Sequence, residues 1–296
     1  MVNKRVGVIG ILGKWSTEVI ADALETRTGF RLVIDMSDVA ADLGSDRLLW
    51  KRHDLCELDG LVVKKITEEY DPNTLDRAEL LRVAEAKGVR VFSPAESIIR
   101  LVDRLACTVT LRNGGIPMPE TIVTEDPGAA FETVKRFGTS VFKPLYSTKA
   151  RGMVLIEGEA TASEIEEQIA DFRRGNPMMY IQRKLNLAGR DLGLVFLAGE
   201  YLGAYARVAK GDVWNTTIHS GGKYAPFEPP PEVVEIAQRA QSLFNLDFTT
   251  VDVALTDEGP VVFEVSAFGG FKGAKDGIGI DAADRYADHI MKTLGQ

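Results

Sequence analysis

Two carboxylates in the last fifth of the sequence stand in apolar company, as Val251-Asp252-Val253 and Phe263-Glu264-Val265. An acid flanked this way is costly to bury alone, so each calls for a cation or hydrogen-bond partners. Their segments are joined by the short turn Asp257-Glu258-Gly259, and a hairpin there lets both side chains project to one side of one sheet. Hard divalent cations such as Mg2+ take one or two carboxylates and complete their shell with water and substrate phosphates. A second group supplies the opposite charge. Lys143 lies within VFKPL, directly ahead of STKARG, whose Lys149 and Arg151 sit beside Gly152. Lys143 alone would read as a solvated sheet face, but positive charge gathered in this way can meet phosphate oxygens.

These groups need a scaffold. Val6 to Ile9 is an apolar run closed by Gly10, and Leu32 to Ile34 and Leu61 to Val63 repeat its character. Between them, residues 16–26 and 75–87 carry apolar positions at helical spacing, and such alternation predicts a parallel α/β sheet. Gly7, Gly10 and Gly13 miss the GxGxxG dinucleotide spacing, which favours a strand-to-helix turn over an NAD site. Asp35 would be only a weak ribose partner. A helical stretch after Pro94 runs to Gly114-Gly115, and Pro117 and Pro119 mark a junction. Then come a strand at Thr121 to Val123, a helix at 127–137 and strands in SVFKPL and MVLIEG. A helix at 232–244 follows a proline-rich loop, and two strands, TTVDVAL and PVVFEVS, close the chain.

At 296 residues and 45% hydrophobic content there is material for two or three packed subdomains. A net charge of -8 argues against a broad basic surface for nucleic acid or an anionic membrane. No segment reaches the ~18–20 apolar residues that span a bilayer, and no cleavage site follows the short apolar run at the N-terminus. Cys56 and Cys107 read as two buried thiols of a reducing compartment, so the cytoplasm is expected. His53, His219 and His289 are too scattered for a histidine metal site, which leaves a hard, oxygen-bound cation.

The segment EVSAFGGFKGAKDGIGIDAADRYADHIM resembles the ATP-grasp ending EVNxSPGLEGIExxTGIDIA of RimK-type ATP-dependent carboxylate–amine ligases. Upstream, Asp103-Arg104 falls where that family has Asp-Lys before its proline-containing stretch. SVFKPL resembles its lysine strand, YIQRKL its hinge, AGRD its glycine-to-aspartate turn, and AYARVAKGDVWNTTIHSGG its arginine strand and Asn-containing run. The likeness covers roughly residues 95–290. It implies an ATP-grasp fold of mixed α/β and α+β class: an N-terminal parallel α/β domain at 1–96, a middle lid subdomain with the phosphate loop at 97–185, and a C-terminal metal-binding subdomain at 186–296.

By position, the resemblance puts Arg104, Lys143 and Gly152 at the phosphates of ATP and Gln182, Arg183, Lys184 and Leu185 at the adenine hinge. It puts Asp191 at the ribose, Asn215, Thr216 and Thr217 around nucleotide and acceptor, and Asp252, Glu264 and Ser266 on Mg2+ or Mn2+. Arg207 is expected to stabilise the transferring phosphoryl group or acylphosphate, with Lys143 its partner in catalysis. In the family ATP phosphorylates a carboxylate and an amine attacks the acylphosphate, so ATP, an acid and an amine are the implied partners, with a peptide, protein or cofactor among the acceptors and a homo-oligomer compatible.

Departures from the pattern bear on activity. Ser266 replaces an asparagine ligand, Arg183 reverses the charge of a hinge glutamate, and Gly193 stands for an arginine. Ser147 and Ala150 take glycine positions of the phosphate loop. These changes keep two other functions in view: phosphoryl transfer to a hydroxyl, and a regulatory nucleotide-binding subunit. Lys272 and Lys275 could attract an anionic acceptor, and Trp214, Tyr224 and Phe227 could cover one.

Overall fold

The computed structural model describes residues 4–209, 216 and 221–295. Its first part is a parallel sheet with helices on both faces. β1 (Val6–Ile9), α1 (Trp15–Thr28) and β2 (Val33–Ile34) lead to a small antiparallel sheet of β3 (Val39–Asp42), β4 (Arg47–Trp50) and β5 (His53–Asp54). β6 (Gly60–Val63), α2 (Pro72–Ala86) and β7 (Arg90–Phe92) complete the parallel sheet in the order β2-β1-β6-β7. Alternate residues of its strands enter different cores. Val6, Val8 and Val62 pack on the α1 side, whereas Ile9, Leu61 and Val63 pack on the α2 side. A sheet buried on both faces explains why these strands read as unbroken apolar runs. The carboxylate of Asp35 caps a short 3₁₀ turn by accepting from the Ser37 N–H at 2.9 Å.

The single helical stretch expected after Pro94 is two helices, α3 (Ala95–Val102) and α4 (Arg104–Asn113). Asp103 between them is extended, and its carboxylate accepts from the Leu105 N–H at 2.8 Å, which restarts the helix. β8 (Thr121–Thr124), α5 (Pro127–Phe137), β9 (Thr139–Lys143), β10 (Val154–Glu157), α6 (Ala162–Gly175) and β11 (Met179–Arg183) form an antiparallel sheet, β10-β9-β11-β8, under two helices. Phe142, Ile156 and Ile181 face those helices. The strand period of two therefore turns Lys143 and Gln182 the other way.

β12 (Arg190–Leu197), β13 (Glu200–Val208), β14 (Lys223–Pro226), α7 (Pro231–Ser242), β15 (Phe248–Thr256) and β16 (Gly259–Val265) build the third region, a sheet ordered β14-β13-β12-β15-β16 beneath α7. Leu194, Phe196 and Val253 bury against that helix. The two strands do not close the chain. α8 (Phe271–Ile278) and α9 (Ala282–Thr293) follow, and Tyr286, Ile290 and Met291 of α9 join the core of β1 and α1. Among the described residues no helix is long and apolar enough to cross a membrane.

Candidate active site

The C-terminal sheet supplies the acidic half of a cleft. Asp252 and Glu264 are direct cross-strand partners, and a bulge interrupts the ladder between Asp252 and Val253. Bulges re-aim side chains. On the next strands Asp252 faces Gly193, and Asp191 faces Arg207. The Nε of Arg207 donates to both oxygens of Asp191 at 3.1 Å, and its Nη2 lies 2.8 Å from Asp252 Oδ2. Burial opposes the charge on Arg207, but Asp252 and Asp191 outweigh it and hold the guanidinium ionised.

Burial pushes the Asp252 carboxyl up to about 7, with Glu264 and Asp191 adding to the rise and Arg207 opposing it. Its Oδ1 is buried and has no hydrogen-bond partner among the described residues. An orphaned carboxylate oxygen beside a second acid is the donor arrangement a hard cation completes, so these residues fit Mg2+. Among the described residues no cluster of three or more His, Cys, Asp or Glu side chains is gathered for metal. A cation here would draw its other ligands from water and phosphate. Ser266 lies two residues beyond Glu264, just past the end of β16. Its N–H donates to the Thr250 carbonyl at 2.8 Å, and its own carbonyl accepts from Thr249 Oγ1 at 2.7 Å.

The basic half comes from the middle sheet and α4. Burial, with help from Arg104, draws the Lys143 ammonium down to about 7 against the pull of Glu264. Arg104 joins the two halves: Nε donates to the Pro144 carbonyl at 3.1 Å and Nη1 to Glu264 Oε2 at 3.4 Å. Its Nη2 reaches Ser147 Oγ at 3.3 Å, at the start of the loop between β9 and β10. Asp103 caps the helix that carries it, so the helix break also sets the position of this guanidinium. In the loop, Lys149, Ala150 and Gly152 have φ of 60, 58 and 67°, the left-handed region in which glycine is unstrained. Ala150 thus holds a backbone conformation that glycine adopts without strain. A Cβ on Gly152 would lie 3.1 Å from Pro144 Cγ.

The residues expected at the adenine hinge make distinct contacts. Gln182 is buried, and its Oε1 accepts from Lys143 Nζ at 2.5 Å while its Nε2 donates to Thr121 Oγ1 at 3.1 Å. It therefore holds the lysine. The N–H groups of Arg183 and Lys184 donate to the carbonyls of Glu120 and Thr139 at 2.9 and 3.0 Å, leaving the Leu185 N–H outside these bonds. The Arg183 side chain points away to Glu258 at 3.3 Å. Lys184 and Leu185, with Thr139 and the buried Thr216, line a cavity of about 480 Å³. None of Lys143, Arg207, Asp252 and Glu264 lines it. Asn215 and Thr217, like Trp214 and His219, lie outside the described residues.

Asp191, expected at the ribose, is bound by Arg207. Gly193, where the resemblance expects arginine, is the cross-strand partner of Tyr205. A Cβ on Gly193 would come within 2.5 Å of the Tyr205 ring, so a buried tyrosine fills the space. Tyr224 packs edge-on against Tyr205 at 5.2 Å, and Lys275 lies over the Trp15 ring at 5.3 Å. Lys64 was not legible as a site residue. It is buried, and its Nζ donates to the carbonyls of Phe268 and Gly269 at 2.6 Å each, tying the end of β6 to the segment after β16. Its only sequence signal is its place at the carboxyl end of a parallel strand, where α/β sheets gather ligands.

The chain is similar to several known proteins. The chain is 24% identical over 314 residues to a tetrahydromethanopterin:alpha-L-glutamate ligase of Methanosarcina acetivorans, covering 95% of this chain and 96% of that one. It is 30% identical over 215 residues to a probable alpha-L-glutamate ligase of Citrobacter koseri, covering 72% of this chain and 71% of the relative. Among solved structures, the ATP-grasp ligase PsnB, complexed with a phosphomimetic variant of its minimal precursor, Mg and ADP, superposes with a TM-score of 0.76 at 17% identity, covering 99% of this chain and all of that one. That last likeness concerns the fold. The profile of the RimK-like ATP-grasp domain matches residues 102–290, a span that includes Lys143, Arg207, Asp252 and Glu264, and the chain belongs to this family.

Proposed function

We propose that the protein is an ATP- and Mg2+-dependent ligase that joins a carboxylate to an amine through an acylphosphate. The observation that carries this reading is buried Asp252, whose Oδ1 has no partner among the described residues, beside the half-exposed Glu264, which Arg104 ties to the end of the Lys143 strand. Residues 1–96, 97–185 and 186–296 then serve as the α/β domain, the lid and the metal-binding subdomain. Asp252 and Glu264, with Ser266 beside them, would hold the cation, which when bound neutralises charge on the phosphates.

Lys143, steadied by Gln182, meets the phosphate oxygens, and Arg104 stands between them and Glu264. Adenine is left to the Leu185 N–H and the hinge carbonyls. A carboxylate oxygen of the acid attacks the γ-phosphorus of ATP, and the bond to ADP breaks. The amine nitrogen then attacks the acyl carbon, loses a proton and expels phosphate. Arg207, ionised and fixed by two carboxylates, stabilises the charge that develops on the transferring group. The relatives named as glutamate ligases put L-glutamate first among amines to test. A reducing cytoplasm, which supplies ATP, suits the free Cys56 and Cys107.

The test is incubation with ATP, Mg2+ and a panel of acids and amines, followed by mass analysis. ADP, phosphate and an amide are expected. AMP, or a stable phosphorylated acceptor, would replace this reading with adenylation or a kinase.

A further inference from the structure

The groups assigned to ATP leave Lys65 without a task. Lys65 follows Lys64 at the carboxyl end of β6, and its N–H is held by the Ile9 carbonyl at 3.2 Å. Its ammonium lies 5.4 Å from the centroid of the Tyr70 ring. That ring in turn packs edge-on against Phe268 at 6.3 Å, in the segment after β16. The Tyr70 hydroxyl is pushed upward by burial and by the charge of Glu264, and Phe268 follows Glu264 by four residues, so the contacts Lys65–Tyr70–Phe268 run from the end of β6 to the acidic segment.

The surroundings of Lys65 are unfavourable to a cation. Burial, then the nearby Lys149 and Arg151, lower its ammonium to about 8. The acids in reach are engaged elsewhere: Glu69 with Arg151 at 2.6 Å and Glu68 with Lys14 at 3.1 Å. Among the described residues no carboxylate pairs with Lys65. A half-buried ammonium kept among like charges raises the energy of the folded state, which is the signature of a group retained for a ligand and not for stability.

We propose that Lys65 is a specificity-determining residue that receives a second carboxylate of the acid substrate, distant from the carboxylate activated at Asp252 and Glu264. The substrate acid is then a dicarboxylate. A carboxylate suits one ammonium beside an aromatic ring, and Arg151, the guanidinium that would favour a phosphate, is already paired with Glu69. This assignment rests on the ligase reading above.

The test is calorimetry on protein saturated with ADP and Mg2+, titrated with glutarate and with its monoamide. Glutarate should bind about tenfold tighter or better than the monoamide. Lys65→Met and Lys65→Gln should erase that preference, Lys65→Arg should keep it, and ADP affinity should stay within about twofold throughout. The melting temperature of Lys65→Met should equal or exceed that of the parent, whereas a lysine with a purely structural role would lower it. Equal binding of the two acids, no uptake of glutarate, or parallel loss of ADP and glutarate in Lys65→Met would each overturn the assignment. Failure of the parent to bind ADP removes the ligase reading as well; normal ADP binding without an acid preference removes only the role of Lys65.

Discussion

Burial draws Lys143 down to about 7, and the direction of that shift has consequences on either side of binding. An unfolded lysine titrates near about 10.4. As pH falls from there towards 7, the unfolded chain takes up a proton that the folded protein refuses, so the nucleotide-free protein loses stability across that window and no more below it. A bound triphosphate restores the charge. ATP binding above pH 7 should therefore take up a proton, and affinity should fall with rising pH by at most about tenfold per unit. Calorimetry in buffers of different ionisation enthalpy checks this, and Lys143→Met should both weaken binding and flatten the profile. For Asp252 the sign is opposite: its carboxyl is raised to about 7, so ionising it between pH ~4 and 7 destabilises the fold. Asp252→Asn should raise the melting temperature of the nucleotide-free protein at pH 8 while abolishing Mg2+-dependent ADP release.

At the scale of elements, the Asp103 cap serves both stability and site. Asp103→Ala should cost about 1 kcal/mol in chemical denaturation, as cap losses do. Because Arg104 leaves from the same turn, it should also weaken ATP binding, whereas Thr161→Ala, which removes the cap of α6, should cost similar stability with no change in ATP affinity. The break itself was not legible, since the helical pattern of apolar residues runs through Asp103. The strands and helices with strong periodicity were legible, including α5 at 127–137. The sheet of β3, β4 and β5 was not, because its strands have only two to four residues and mixed polarity. Gly193 shows the same limit in another form. Its sequence shows an arginine missing, but only the register reveals Tyr205 in that space. Gly193→Arg should therefore destabilise by overpacking, by about 1–3 kcal/mol or more, and thermal melting should show whether adding Tyr205→Ala relieves the loss.

Across the whole molecule, the domains are joined by a polar knot as well as by Lys64. Arg90 donates to buried Asp247 at 2.9 and 3.1 Å, the Asp247 N–H donates to Ser93 Oγ at 2.8 Å, and His289 Nε2 lies 3.2 Å from the same carboxylate. No motif announces this contact, because its members are 154 or more positions apart for Ser93 and Arg90. Asp247→Ala should lower stability by about 1–3 kcal/mol, as loss of a buried acceptor does, and hydrogen exchange should quicken first along the seam between β7 and α9. That last helix has a further consequence for biogenesis. Val6, Val8, Val62 and Phe92 share a core with α1 and with Tyr286, Ile290 and Met291, so the flank they form stays only partly covered, by α1, until residues 282–293 have left the ribosome. Nascent chains shorter than that present a sticky surface, a natural foothold for a holdase chaperone.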